Sequence, residues 1–254
     1  MSSQAWLWLT TVIMTLGGLG ILLVGKRRTP TEELQTVLHG IVPIIAACSY
    51  FAMAVGQGAV TLPILPGAAA ASVGDTRIFY FARYIDWFFT TPLLLVSLAI
   101  SAMHAGPKRS GAITGIVLAD VMMIVTALFF GWSEIPEFKW IWFAISCVAF
   151  LGVYYVIWVS LMEANKLERD DVQTHYRRSA LFLSVVWFIY PFVLLVSPDG
   201  LYAIGDTAAI VGILVIDTLA KVVYGFMAVA ADGRITERDL ASRTTTTSTT
   251  RVAA

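Results

Sequence analysis

Charge is what this sequence has least of. Only 13% of its 254 residues are Asp, Glu, Lys or Arg, and 17 basic residues balance 17 acidic ones. A formal net charge of zero gives no electrostatic reason to expect a nucleic-acid partner. Cysteine is almost missing: Cys48 and Cys147 are the two, each inside an apolar run. That excludes a disulfide framework and leaves both as small buried hydrophobes. The three histidines are scattered without zinc-ligand spacing, so no metal is expected. No basic stretch precedes the first apolar run, which argues against a cleaved signal peptide.

Hydrophobicity fills the space that charge leaves. It accounts for 58% of residues, and the mean hydropathy is +0.78, far from a soluble mixture. Seven apolar runs follow one another: Ala5–Val24, Val37–Val55, Ile78–Ala102, Ala112–Phe130, Trp140–Met162, Ser179–Val196 and Thr207–Ala230. Each is about as long as a helix needs to cross a hydrocarbon core of roughly 30 Å. The polar faces that a soluble helical bundle requires are missing from them. The expected fold class is therefore an all-α membrane protein, a seven-transmembrane helix bundle over residues 1–233. Residues 234–254 end in a Thr/Ser repeat and are expected to form a disordered tail.

Basic residues follow runs one, three, five and seven: Lys26, Arg27 and Arg28, then Lys108 and Arg109, then Lys166, Arg169, Arg177 and Arg178, then Arg234 and Arg238. The opposite loops carry only Arg77 and Lys139. The basic side is expected to be cytoplasmic, which places the N-terminus outside and the C-terminus inside. In the long outer loop from Gly56 to Arg77, the segment Ala59–Gly67 could form a short β-hairpin, though its prolines weaken the pattern.

Two runs carry charge where a membrane should exclude it. In run seven, Asp217 and Lys221 stand four residues apart, on one helical face. Lys221 lies about nine residues, or ~13 Å, from the near end of the helix, too deep for its stem to snorkel out easily. In run three, Arg83, Asp86, Thr90 and Ser97 fall at offsets that keep them on one stripe. Asp86 and Ser97 are about 16 Å apart along the axis. Two carboxylates and two cations would balance as an intramembrane quartet. A structural salt-bridge network explains the quartet alone. A polar path explains the hydroxyls that continue beyond it. Aromatic residues Tyr84, Trp87, Trp142, Phe143, Trp187 and Tyr190 could enclose a flat apolar ligand, and a desolvated lysine in such a box can form an imine with an aldehyde.

The segments Arg83–Trp87 with Thr90–Leu95, Trp187–Pro191 and Asp217–Lys221 resemble helices three, six and seven of the microbial rhodopsins, in order and across all seven spans. The resemblance implies all-trans retinal bound covalently at Lys221 as a protonated Schiff base. It implies Asp86 as counterion and proton acceptor, Asp217 as second counterion, Arg83 as the gate to the outside, and Thr90 bonded to Asp86. Tyr84, Trp87, Thr91, Leu94, Met123, Trp142, Ser146, Trp187, Tyr190 and Pro191 match pocket positions. Tyr50 matches the tyrosine that fixes the second counterion, and Asp120 the carboxyl that pairs with Thr91. Asp199 or Asp206 would release the proton, Asp206 being as well explained as a solvated charge.

The pattern breaks at Ser97, where pumps of this kind carry a carboxyl donor and serine cannot store a proton. His39 is the candidate to fill that role, with an interfacial or packed histidine as the plain alternative. Leu194 replaces a common pocket aromatic. Phe143 stands where antenna-binding members have glycine, so no carotenoid antenna is expected. The function implied is a light-driven outward proton pump rather than an enzyme, in the inner membrane of a microbe and assembled as a homo-oligomer, trimer or pentamer. The alternative is a sensory photoreceptor signalling through a partner protein, which Ser97 suits. Asp217 argues against it, because the sensors and inward pumps with this Asp-Thr-Ser triplet carry proline there.

Overall fold

Inside a bilayer every backbone N–H and C=O must find a partner within the protein, and an uninterrupted helix supplies those partners locally. The computed structural model describes residues 2–65 and 75–252, with side chains described as far as 243. Among the described residues it contains seven helices long and apolar enough to cross a membrane. They are α1 (Ser3–Val24), α2 (Pro30–Ala54), α3 (Phe81–Ala102), α4 (Ser110–Trp132), α5 (Pro136–Asn165), α6 (Asp170–Val196) and α7 (Asp206–Arg243). Helix starts are written into the sequence. The Ser2 hydroxyl accepts from Ala5 N–H at 3.2 Å, and Thr29 from Glu32 N–H at 3.2 Å, with Pro30 in the first turn of α2.

The outward faces are greasy and the interior is mixed, the reverse of a soluble protein. Leu16, Leu23, Leu151 and Val148 are more than 60% exposed, which suits contact with lipid chains. Arg83, Asp86, Asp120, Asp217 and Lys221 are all buried. Cys48 turns out to be exposed and Cys147 half-buried, so neither is the buried hydrophobe expected. An apolar run looks the same from every side, and Cys48 falls on the outward face of α2.

Small residues set the contact between α1 and α2. A Cβ on Gly18 would lie 2.7 Å from Ile44 Cγ1 and 2.8 Å from the Gly40 carbonyl. The close approach of backbones at small residues is a membrane-helix packing device. Gly18→Val should therefore destabilise the fold by about 1–3 kcal/mol through overpacking. Thermal unfolding of the protein in detergent would show this as a lower midpoint, and an unchanged midpoint would mean that the contact relaxes freely.

Two helices contain a π-helical turn, Val156–Leu161 in α5 and Thr218–Val223 in α7. Such turns are rare and gather at functional positions. The second one carries Lys221. Pro43, Pro92 and Pro191 lie inside α2, α3 and α6.

The loop between α2 and α3 does hold a hairpin, but with a different second strand. β1 (Val60–Pro63) pairs antiparallel with β2 (Thr76–Phe79), Val60 opposite Phe79 and Pro63 opposite Thr76. The last two residues of the expected segment, 66 and 67, lie outside the described residues. Proline lacks an N–H and closes a ladder rather than continuing it, which fits Pro63 at the strand's end.

The tail differs from expectation too. The helix continues past Arg234, with Ile235 and Thr236 buried, and its backbone runs to Val252. Its charges dock it: Glu237 pairs with Lys26 and Arg28, Arg238 with Asp171, and Asp239 with Arg169 and His104. Composition reports only that a segment is polar, whereas its partners come from three distant loops.

Candidate functional site

Two helices, α3 and α7, bring the charged site together. Lys221 Nζ bonds Asp86 Oδ2 and lies 3.3 Å from Asp217 Oδ1. All three side chains are essentially inaccessible, at 2%, 1% and 0% exposure. A cation so placed is retained only because carboxylates flank it.

The two carboxylates differ in their surroundings. Asp217 accepts from Tyr50 Oη at 2.6 Å, Tyr190 Oη at 2.5 Å and Trp87 Nε1 at 3.3 Å. Three converging donors suit a group that only accepts, which is what an ionised carboxylate is. Asp86 has Lys221 on one oxygen, and its Oδ1 is buried with no hydrogen-bond partner. Asp86 is thus the carboxylate with an oxygen to spare.

The quartet read from the sequence divides in two. Arg83 turns toward the end of the bundle that carries the N-terminus, 3.9 Å from Asp199 and 5.6 Å from the centre of the Tyr80 ring. Asp199 is buried, not a surface loop acid. It accepts from Arg77 at 2.9 Å and from Tyr84 at 3.2 Å. Arg77, on β2, also donates to the Gly131 carbonyl at 2.5 Å. The hairpin thereby delivers a second arginine to the outer cluster. Asp206 is only half-buried.

Thr90 meets Asp86: its hydroxyl donates to the main-chain carbonyl of Asp86 at 2.9 Å, the back-bond usual for a helical threonine, and it also acts on the Asp86 carboxylate. Thr91 donates to Trp87 O and meets Asp120 Oδ2 at 2.7 Å, as expected for that pair.

Beside Lys221 lies a cavity of about 730 Å³, counting the part that opens to the surface. Of the expected pocket residues, Trp87, Thr91, Leu94, Met123, Ser146, Trp187, Tyr190, Pro191 and Lys221 line it. Tyr84 and Trp142 do not. Side chains lean toward the start of their helix, and this sends Tyr84 onto Asp199 and away from the cavity. Trp142 packs on Phe129, ring centres 5.0 Å apart, and Phe143, about 100° further round the helix, takes the cavity wall instead. Ile124, Ala127, Phe130, Phe150 and Ala220 line it as well. No signal marks them in a sequence where most helical positions are apolar.

At the opposite end of α3, Ser97 is buried against α2. Its hydroxyl donates to Gln35 Oε1 at 2.7 Å and lies 2.8 Å from His39 Nε2. Gln35 in turn donates to Ser97 O at 3.1 Å and Ser101 Oγ at 3.0 Å. His39 is thus beside the position where the sequence pattern lacked a titratable group, with Gln35 a partner that sequence reasoning passed over.

A lysine clamped between two carboxylates, walled by an aromatic cavity and enclosed by seven membrane-length helices, defines an integral multi-pass membrane protein that holds charge inside the bilayer. The chain belongs to the bacteriorhodopsin-like protein family, whose profile matches residues 1–234. This is a family of transporters, not of enzymes. Bacteriorhodopsin from Haloterrigena sp. (strain arg-4) is 36% identical over 228 residues, covering 87% of this chain and 84% of its own. Archaerhodopsin-2 from Halobacterium sp. (strain aus-2) is 32% identical, over 87% of this chain and 82% of its own. Among solved structures, the thermophilic rhodopsin from Rubrobacter xylanophilus superposes with a TM-score of 0.82 at 32% identity, over 91% of this chain and 96% of that one. A light-driven proton pump from Coccomyxa subellipsoidea gives 0.80 at 30% identity, over 90% and 96%.

Proposed function

We propose that this protein is a light-driven proton pump that moves protons outward across the plasma membrane of a microbe, with all-trans retinal held covalently at Lys221. The observation that carries the reading is the inequality of the two carboxylates around Lys221. Asp217 is saturated by three donors, so a proton arriving there would have to displace one of them. Asp86 has an unengaged oxygen and touches the amine directly. A proton leaving Lys221 Nζ therefore has one receptive acceptor, Asp86.

The residues present fit the cofactor. The cavity is walled by Trp87 and Trp187, and Lys221 Nζ is the amine at its wall. Thr218 Oγ1, one turn before that lysine, is buried without a hydrogen-bond partner. Bound there, retinal would supply absorption of visible light and a light-driven change in the orientation and proton affinity of the Lys221 nitrogen. The protein does the rest. Tyr50, Trp87 and Tyr190 hold Asp217 in place as the permanent countercharge. Arg83 stands between Asp86 and Asp199, so a proton leaving Asp86 would be passed toward the Asp199 cluster.

Return of a proton to Lys221 would come from the other end, through His39 and Ser97. An imidazole can take a proton on one nitrogen and give one from the other, which serine alone cannot do. This arrangement favours the pump over the sensor, because it restores a titratable group near the Ser97 position. The basic loops lie at the end that carries His39, and the opposite loops offer only Arg77 and Lys139, both buried. That bias supports a cytoplasmic His39 end and an outward direction.

Illuminating cells that express the protein with all-trans retinal tests the reading. Acidification of the medium that a protonophore abolishes is the expected result. Alkalinisation would reverse the direction, and no change in pH would favour the sensory reading. In the same cells His39→Ala should slow recovery of the dark pigment by about 100-fold, as expected on losing a proton relay. Recovery at the wild-type rate between about pH 6 and 9 would remove His39 from the route.

A further inference from the structure

Beyond His39, toward the end that carries the C-terminus, lies a second cluster of titratable side chains that the route from Lys221 to Asp86 does not use. His175 on α6 and Asp232 on α7 pair across the two helices, Nε2 to Oδ1 at 3.3 Å, with side chains 8% and 13% exposed. The other oxygen of that carboxylate, Oδ2, is buried and has no hydrogen-bond partner. His39 shows the matching feature: Nε2 meets Ser97, while Nδ1 is buried and unpartnered. Buried polar atoms without partners are uncommon, and here two belong to titratable groups at the same end of the bundle. Asp232 and His175 are also the charged groups that act electrostatically on His39. Between the two clusters stands Tyr224, its ring centre 5.3 Å from that of His39, its hydroxyl bonded to Ser179 and within the field of Asp232.

We propose that His175 and Asp232 form the proton-loading site that recharges His39 from the C-terminal side of the bundle. The proposal rests on the pump reading and adds to it where the proton is collected. The pair sits near the surface, so it exchanges protons with water more readily than His39, which is 1% exposed. The paired imidazole and carboxylate each offer an atom that can take up a proton and pass it on. His39 then accepts one proton at Nδ1 as it gives one up from Nε2 toward Ser97. It is neutral before and after, and no net charge is left buried in α2. The groups facing this route are Arg28 from the loop before α2, Glu32 and His39 from α2, His175 from α6, and Tyr224 from α7. Arg28 is already engaged by Glu32 and by the carbonyl of Gly233, so it does not neutralise Asp232.

A loading site and a structural staple between α6 and α7 predict different photochemical outcomes. The full chain with all-trans retinal, in lipid vesicles, is excited by a flash. Return of the visible band and proton uptake on the C-terminal side are followed together. Asp232→Asn should slow the return about tenfold near pH 8, with the first proton loss unchanged, and His175→Gln should do the same. Asp232→Glu, which keeps a titratable carboxyl, should recover at nearly the wild-type rate. Sodium azide, whose conjugate acid is a small neutral weak acid, should restore Asp232→Asn by taking protons from water and carrying them past the lost site. Wild-type recovery in both Asp232→Asn and His175→Gln overturns the proposal, and so does slowing that azide does not relieve. If the wild-type protein itself takes up no proton from that side, the pump reading fails and the loading site falls with it.

Discussion

Lys221→Ala should yield a colourless protein that moves no protons in light. Among the described residues the cavity beside Lys221 has no other amine at its wall to bind an aldehyde covalently. The variant should also be less stable before any cofactor is considered. Removing the amine leaves Asp86 and Asp217 buried together without the cation between them. Breaking a buried pair in this way costs about 3–5 kcal/mol. Absorption after reconstitution with all-trans retinal reads the first effect, and thermal unfolding of the retinal-free chain reads the second. A Lys221→Ala protein that kept a covalent visible chromophore would overturn the assignment of the site.

Asp86→Asn separates binding from transport. Colour should be retained, because Asp217 keeps its three donors and still faces Lys221 at 3.3 Å. Proton movement should fall by about 100-fold or more, since asparagine has nearly the size of aspartate but cannot take a proton near neutral pH. The measurement is light-driven pH change per pigment molecule, which corrects for a lower yield. The absorption band should also shift, because one of the two charges beside the Lys221 nitrogen is gone. Undiminished transport in Asp86→Asn would mean that Asp217, despite its saturated hydrogen bonds, is the acceptor.

Much of this was legible in the chain before any coordinates. Seven continuously apolar runs of membrane length pointed to seven helices, because a helix satisfies the backbone within the run itself and barrel strands are shorter and alternate in polarity. Charged residues inside those runs marked the site, because a bilayer makes them costly to keep. Asp86, Asp217 and Lys221 needed no fold to be noticed. The one-stripe spacing of Arg83, Asp86, Thr90 and Ser97 needed only the helical period.

The tertiary structure decided who partners whom. Sequence spacing fixes which residues share a face, but not what stands opposite. It could not show that Arg83 pairs with Asp199 rather than with the inner carboxylates, or that Arg77 arrives on a β-strand to join them. The pocket wall was half-visible for the same reason. Trp87, Trp187 and Tyr190 stood out by residue type, whereas Ile124 and Phe150 are apolar residues among apolar residues, and only helix rotation turns them inward. Ser97 is the sharpest case. In the sequence it is a gap in a pattern, and His39 is a lone histidine 58 residues away. Packing α2 against α3 sets them 2.8 Å apart, and packing α6 against α7 places His175 on Asp232. Helical periodicity is a local property that sequence spacing records. Contacts between helices depend on their rotation and depth, which are settled only when all seven pack together.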